Sequence, residues 1–141
     1  MLEIDHVAAA VEDFDAAVEG FTEAGAEHVW TTVEEEFGER VAYMLAGSDM
    51  FTLLAPTGEE SVLTPFLETR GPGFHHIGVN VEDLDAAVAA FEAMGGEVAM
   101  EATVEGVRDE VTFDPGSWHG LQVQLIEWDD SVGPTAREHI E

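Results

Sequence analysis

His6 and His76 are the residues of this chain best placed to do chemistry together. Each stands on a short apolar stretch, Ile4-Asp5-His6-Val7 and Phe74-His75-His76-Ile77. Each stretch leads 70 residues apart into nearly the same words, Val11-Glu12-Asp13-Phe14-Asp15-Ala16-Ala17-Val18 and Val81-Glu82-Asp83-Leu84-Asp85-Ala86-Ala87-Val88. The match continues in step through Phe21/Phe91, Gly25/Gly95 and Glu27/Glu97. Imidazole is a ligand for zinc, nickel, copper and iron, and it titrates near enough to neutrality to move protons. One histidine on an apolar strand reads as a hydrogen-bonded core residue. Two at matched places in a repeat can meet across the axis relating the copies, and they read as a site.

The elements that must position them follow from periodicity. Ile4 to Val11 is short, apolar and suited to a strand. Phe14, Ala17, Val18 and Phe21 keep the i, i+3, i+4, i+7 spacing of a helix, with Asp13 as N-cap, Asp15 in the first turn and Gly25 as the stop. Strands are expected over 28–33, 40–46 and 50–55, with turns at 34–38 and 47–49. The second copy repeats the plan: a strand over 74–80, a helix over 84–94, and strands near 97–103, 108–113 and 120–127. Each copy therefore reads βαβββ. The fold class is α+β, two tandem βαβββ modules (1–56 and 73–127) making one domain over 1–127. Residues 57–72 link them, with a helical piece over 61–68 that turns Val62, Phe66 and Leu67 to the core. Residues 128–141 read as an acidic tail in which Ile140 could anchor a last turn.

Composition narrows the partners. Thirty-one Asp and Glu face four basic residues, Arg40, Arg70, Arg108 and Arg137, for a formal net charge of −27. Phosphate contacts need cations, so nucleic acid and anionic membrane are excluded as partners. No apolar run reaches membrane-spanning length and no cationic leader precedes one, so the expected setting is cytoplasmic. Cysteine is absent, which removes disulfides, zinc–thiolate sites and thiol catalysis. The acids are spread through segments that keep core periodicity, so they do not form a disordered acidic tract. They are read as the halophilic surface of a protein that works in concentrated salt, with an acidic protein-binding surface as the rival.

The paired modules, with a histidine on the first strand of each, resemble the vicinal oxygen chelate superfamily, which includes glyoxalases, extradiol dioxygenases, bleomycin-resistance proteins and methylmalonyl-CoA epimerases. The epimerase likeness rests on Ile4-Asp5-His6, Leu53-Leu54-Ala55-Pro56 and the run from Pro65 through Arg70-Gly71-Pro72-Gly73 to His76-Ile77. The resemblance implies a cleft that binds a divalent ion (cobalt, zinc, nickel, manganese or iron) through two residues per module. The first-strand ligands would be His6 and His76. The last-strand positions fall at Thr52 and Gln124, 72 residues apart. The family places Glu or Gln at the first of these and Glu at the second, so this chain lacks the carboxylate. A further base of the epimerases falls, by ungapped alignment, at Val41. An epimerase step through these two positions has no base to use.

Other candidates are weaker. Tyr43 shares a strand face with Val41 and is a cleft-lining candidate. His119 enters the Gln124 strand from a loop and could supply a base, though a solvent-exposed role is the simpler one. His75 points away from His76 and reads as structural. No nucleophile elbow or phosphate-cradling glycine loop is present. The expected function is a glyoxalase-like, epimerase-related protein that binds a small carboxylate or acyl ligand, with isomerase or lyase chemistry if active. The alternative is a non-catalytic binding or sequestering protein on the same fold. The implied partner is a small molecule, and a homodimer is compatible with the resemblance.

The charge makes a direct prediction. At molar salt the Debye length falls to about 3 Å and repulsion among exposed carboxylates is screened. The melting temperature should be at least about 5 °C higher in molar potassium chloride than at low salt, roughly 1 kcal/mol for a domain of this size. Equal melting temperatures would contradict the halophilic reading.

Overall fold

The computed structural model describes residues 2–131. Within them the chain forms eight strands and three α-helices: β1 (Glu3–Ala10), α1 (Phe14–Glu23), β2 (Glu27–Glu34), β3 (Glu39–Ala46), β4 (Asp49–Pro56), α2 (Leu63–Arg70), β5 (Gly73–Asn80), α3 (Leu84–Ala93), β6 (Val98–Val104), β7 (Arg108–Phe113) and β8 (Val123–Trp128). The order is βαβββ twice, with α2 between the copies. This is the α+β class expected from the repeat.

Contacts divide the chain into two units. The first runs from Val7 to His75; the second takes the residues before Val7 together with those from His76 onward. The boundaries cut through β1 and β5, so His6 and His76 both belong to the second unit.

In the first unit the strand order is β2-β3-β4-β1. β1 pairs parallel to β4, placing Ala8 opposite Thr52 and Ala10 opposite Leu54. β3 pairs antiparallel to β4, placing Val41 opposite Leu54 and Tyr43 opposite Thr52. Because side chains alternate along a strand, two faces result. Phe14 of α1 packs on one, with Ala42, Met44, Leu53 and Ala55. Leu63, Phe66 and Leu67 of α2 close the other, over Ala8, Ala10, Val41 and Leu54. α1 begins where Asp13 accepts from the Ala16 N–H, and Gly25 ends it at a φ of +113° that a side chain would resist. α2 runs from Leu63 to Arg70 rather than over 61–68, since the Ser61 hydroxyl accepts from the Leu63 N–H and fixes a later start.

In the second unit the order is β5-β8-β7-β6. α3 packs one face, where Leu84, Ala87, Val88 and Phe91 meet Val79, Val111, Phe113 and Leu125. Its first turn is capped twice: Asp83 accepts from the Ala86 N–H and Glu127 from the Leu84 N–H at 2.8 Å. β8 begins at Val123, three residues later than the expected 120, because a 3₁₀ turn over Pro115–Ser117 and positive φ at His119 and Gly120 occupy the approach. Trp128, expected to open the tail, is the last residue of β8. The tail expectation from residue 132 on, Ile140 included, lies outside the described residues.

His75 belongs to the first unit, its ring edge-on to Phe66 at a centroid separation of 4.7 Å. Burial, with a smaller contribution from the Arg70 charge, lowers its pKa from 6.5 to about 4. The unfolded chain therefore takes up this proton first, and stability present above pH 6.5 is lost as pH falls toward about 4. A His75→Phe variant should lose less of its denaturation midpoint between pH 7 and pH 4.5 than the native protein. Parallel losses in the two proteins would refute this.

Candidate functional site

The site grows from one buried carboxylate. The Asp5 side chain is 0% exposed, and a buried charge is tolerated only when its oxygens are met by donors. Trp128 donates from Nε1 to Oδ1 at 3.2 Å, sharing that proton with the Asn80 Oδ1 at 2.9 Å. The other oxygen, Oδ2, lies 2.7 Å from the His6 Nδ1. A carboxylate only accepts, so His6 carries its proton on Nδ1 and turns the Nε2 lone pair outward. That lone pair meets His76, with Nε2 to Nε2 at 3.0 Å and the rings edge to face at 89°.

The close approach has a backbone cause. The His6 ring lies against Gly78, and a Cβ built at Gly78 would fall on it, 2.6 Å from Nδ1. The corresponding residue in the first copy is Ala8, fully buried in the core. Gly78 leaves room for an imidazole where Ala8 packs against apolar neighbours.

His76, Gly78 and Asn80 alternate onto one face of β5. Gly78 pairs with Gln124 of β8, and Gln124 with Thr112 of β7, so Gln124 lies on that same face beside the histidine pair. Thr52 holds the matching place in the first unit, opposite Ala8 and Tyr43, and is 4% exposed. Val41 is buried under α2, and Tyr43 stacks on Trp30 at 5.3 Å. His119 is exposed at a φ of +57°, its ring against Trp118. The structure thus brings together His6 and His76 on the face that carries Gln124, with Thr52, Val41 and Tyr43 in the other unit and His119 on an exposed turn.

Several polar residues of this face escaped the sequence reading. Asp5 stood beside His6 in the motif, and its position before a strand histidine was the available signal. Asn80 and Trp128 gave none, since their partners are 48 and 123 residues distant.

The donor set suits a divalent ion in part. Two nitrogens on one tetrahedral ion at about 2.1 Å stand about 3.4 Å apart, so the 3.0 Å contact is a hydrogen bond between the rings that an ion would replace after they part slightly. The Asp5 carboxylate behind His6 is the arrangement that orients a metal-binding imidazole and raises its basicity. No third His, Asp or Glu joins them in a ready-made cluster among the described residues, and Gln124, paired with Gly78, is a neutral oxygen donor on that face.

Comparison with known proteins agrees with this architecture. Residues 5–113 match the model described as the Glyoxalase/Bleomycin resistance protein/Dioxygenase superfamily. This chain belongs to that superfamily. Among superfamily relatives, the mitochondrial methylmalonyl-CoA epimerase of Mus musculus is 32% identical over 87 residues, covering 60% of this chain and 49% of that protein. The match therefore spans about half of the mouse relative's length. A 2-epi-5-epi-valiolone epimerase of Actinomyces sp is 28% identical, with 87% of this chain and 78% of that protein covered. A solved methylmalonyl-CoA epimerase in complex with methylmalonyl-CoA and ammonium superposes with a TM-score of 0.81 at 29% identity, covering 95% of this chain and 99% of that one.

Proposed function

We propose that this superfamily member binds a small carboxylate or acyl ligand on the polar face of β5, β8 and β7, beside a divalent ion held by His6 and His76 with Gln124 as a third donor, and that its chemistry is of the isomerase type. The observation that carries this reading is the pair of facing Nε2 atoms, one of them fixed as a lone pair by Asp5. Such an ion would polarise a ligand carbonyl as a Lewis acid. The chain's own contribution is orientation: Asp5 sets the His6 tautomer, Gly78 admits the ring, and Trp128 locks Asp5. The relatives named above are both epimerases, which supports inversion at a carbon centre as the reaction class.

Arg40 lies over Phe14, Arg70 over Phe66 and Arg108 over Trp128, at 4.1, 5.8 and 5.3 Å from the ring centroids. These ring contacts leave the guanidinium N–H donors able to meet an anionic group of a ligand. The non-catalytic alternative draws on Gln124 and Val41, neither of which can take a proton.

Cobalt titration tests the ion site. The native protein should bind about one ion per chain, and His6→Ala or His76→Ala should lose it. Asp5→Asn should weaken binding about 10- to 100-fold, as removal of a partner behind a metal-binding histidine does. Unchanged affinity in a His6→Ala/His76→Ala double variant would contradict the site.

A further inference from the structure

A duplicated fold can hold its chemistry on either copy. In the first unit, the inner-face row of Ala10, Leu54 and Val41 is closed by Leu63 of α2, itself 0% exposed. The second unit has the same row two residues beyond the Gln124 pairing: Asn80 opposite Ile126, and Ile126 opposite Glu110. Because Thr52 and Gln124 hold equivalent places, opposite Ala8 and Gly78, Glu110 is the second-copy counterpart of Val41. Where the first copy has a buried valine under a helix, the second has a carboxylate.

That carboxylate is placed and partly accessible. Glu110 Oε2 accepts from the Arg108 Nε at 3.1 Å, and its side chain is 15% exposed. Arg108 is steadied in turn by the Trp128 ring. The opposite end of the row carries a second, independent sign. Asn80 is 8% exposed, its Oδ1 is taken by Trp128, and its Nδ2 is buried without a hydrogen-bond partner. Buried donors are nearly always paired, so a ligand oxygen is the fitting partner for this one.

We propose that Glu110 is the general base of this site, acting on a ligand whose carbon acid adjoins a ketone or thioester carbonyl, with the Asn80 Nδ2 donating to the carbonyl oxygen. This rests on the ligand-binding reading above. The Glu110 carboxylate takes the α-proton. The C–H electron pair becomes the enolate double bond, and the carbonyl π pair moves onto the oxygen. Return of that proton, or of a solvent deuteron after exchange on the carboxylic acid, restores the ligand without any other reactant.

The test uses the native chain with cobalt in deuterium oxide, with methylmalonyl-CoA and 2-hydroxycyclohexanone as separate probes, following loss of the α-proton signal by NMR. The native protein should exchange at least one probe. Glu110→Gln should slow that exchange about 100-fold or more with cobalt affinity unchanged. Glu110→Asp, which keeps the charge beside Arg108 on a shorter arm, should fold normally and retain part of the rate. Undiminished exchange in Glu110→Gln, full exchange in Glu110→Asp where Gln misfolds, or no exchange of either probe by the native protein would each overturn the assignment of Glu110. Failure of the native protein to bind cobalt would instead strike at the underlying ion site.

Discussion

The bond between the buried Asp5 carboxylate and the His6 ring is the interaction on which the site depends. A fully buried carboxylate must have donors on both oxygens, and here they come from the indole of Trp128 and the imidazole of His6. Trp128 closes β8 and Asp5 lies on β1, so this hydrogen bond joins the two sequence segments that make up the second unit. The same bond dictates which nitrogen of His6 holds a proton. It thereby decides that the atom facing His76 is a lone pair, the form needed to bind an ion or accept a proton. Gly78 is the steric half of the device, because any side chain there would displace the ring.

The two copies use one topology for different ends. In the first, both sheet faces are covered by helices, and α2 fills the inner face with Leu63, Phe66 and Leu67. That face contributes core. In the second, α3 covers one face, and the other carries His76, Gln124, Asn80 and the Arg108–Glu110 pair. Apolar Ala8 and Val41 against open Gly78 and charged Glu110 mark this division, while Leu54 and Ile126 are buried alike in the two copies. The scarcity of cations sharpens it: each described arginine is seated on an aromatic ring, and the one beside the polar face also holds the face's glutamate.

Much of this was legible in the sequence because the signals were local. The 70-residue echo gave both βαβββ copies, the i, i+3, i+4 spacing with Asp13 as cap gave α1, and its repeat gave α3 to within a residue. The matched histidines gave the pair that meets. What stayed hidden depended on long-range register. The equivalence of Val41 with Glu110 runs at an offset of 69, since the turn from β6 to β7 is one residue shorter than that from β2 to β3, and that of Thr52 with Gln124 at 72, since the connection from β7 to β8 carries a 3₁₀ turn where β3 and β4 join tightly. An ungapped comparison at 70 therefore sets Val41 against Val111, one residue off and on the opposite face. The roles of Asn80 and Trp128 likewise arise only when β5, β8 and β1 are brought side by side.

The most direct measurement is the tautomer of His6. Ring-nitrogen NMR of ¹⁵N-histidine-labelled protein, stripped of divalent ions at pH 8 and assigned with a His6→Gln variant, reports which nitrogen carries the proton. His6 should be protonated on Nδ1 with Nε2 bare, and that preference should be lost in Asp5→Asn. A His6 proton found on Nε2 in the native protein would contradict it, because Asp5 would then not be holding the ring and the lone pair facing His76 would not exist.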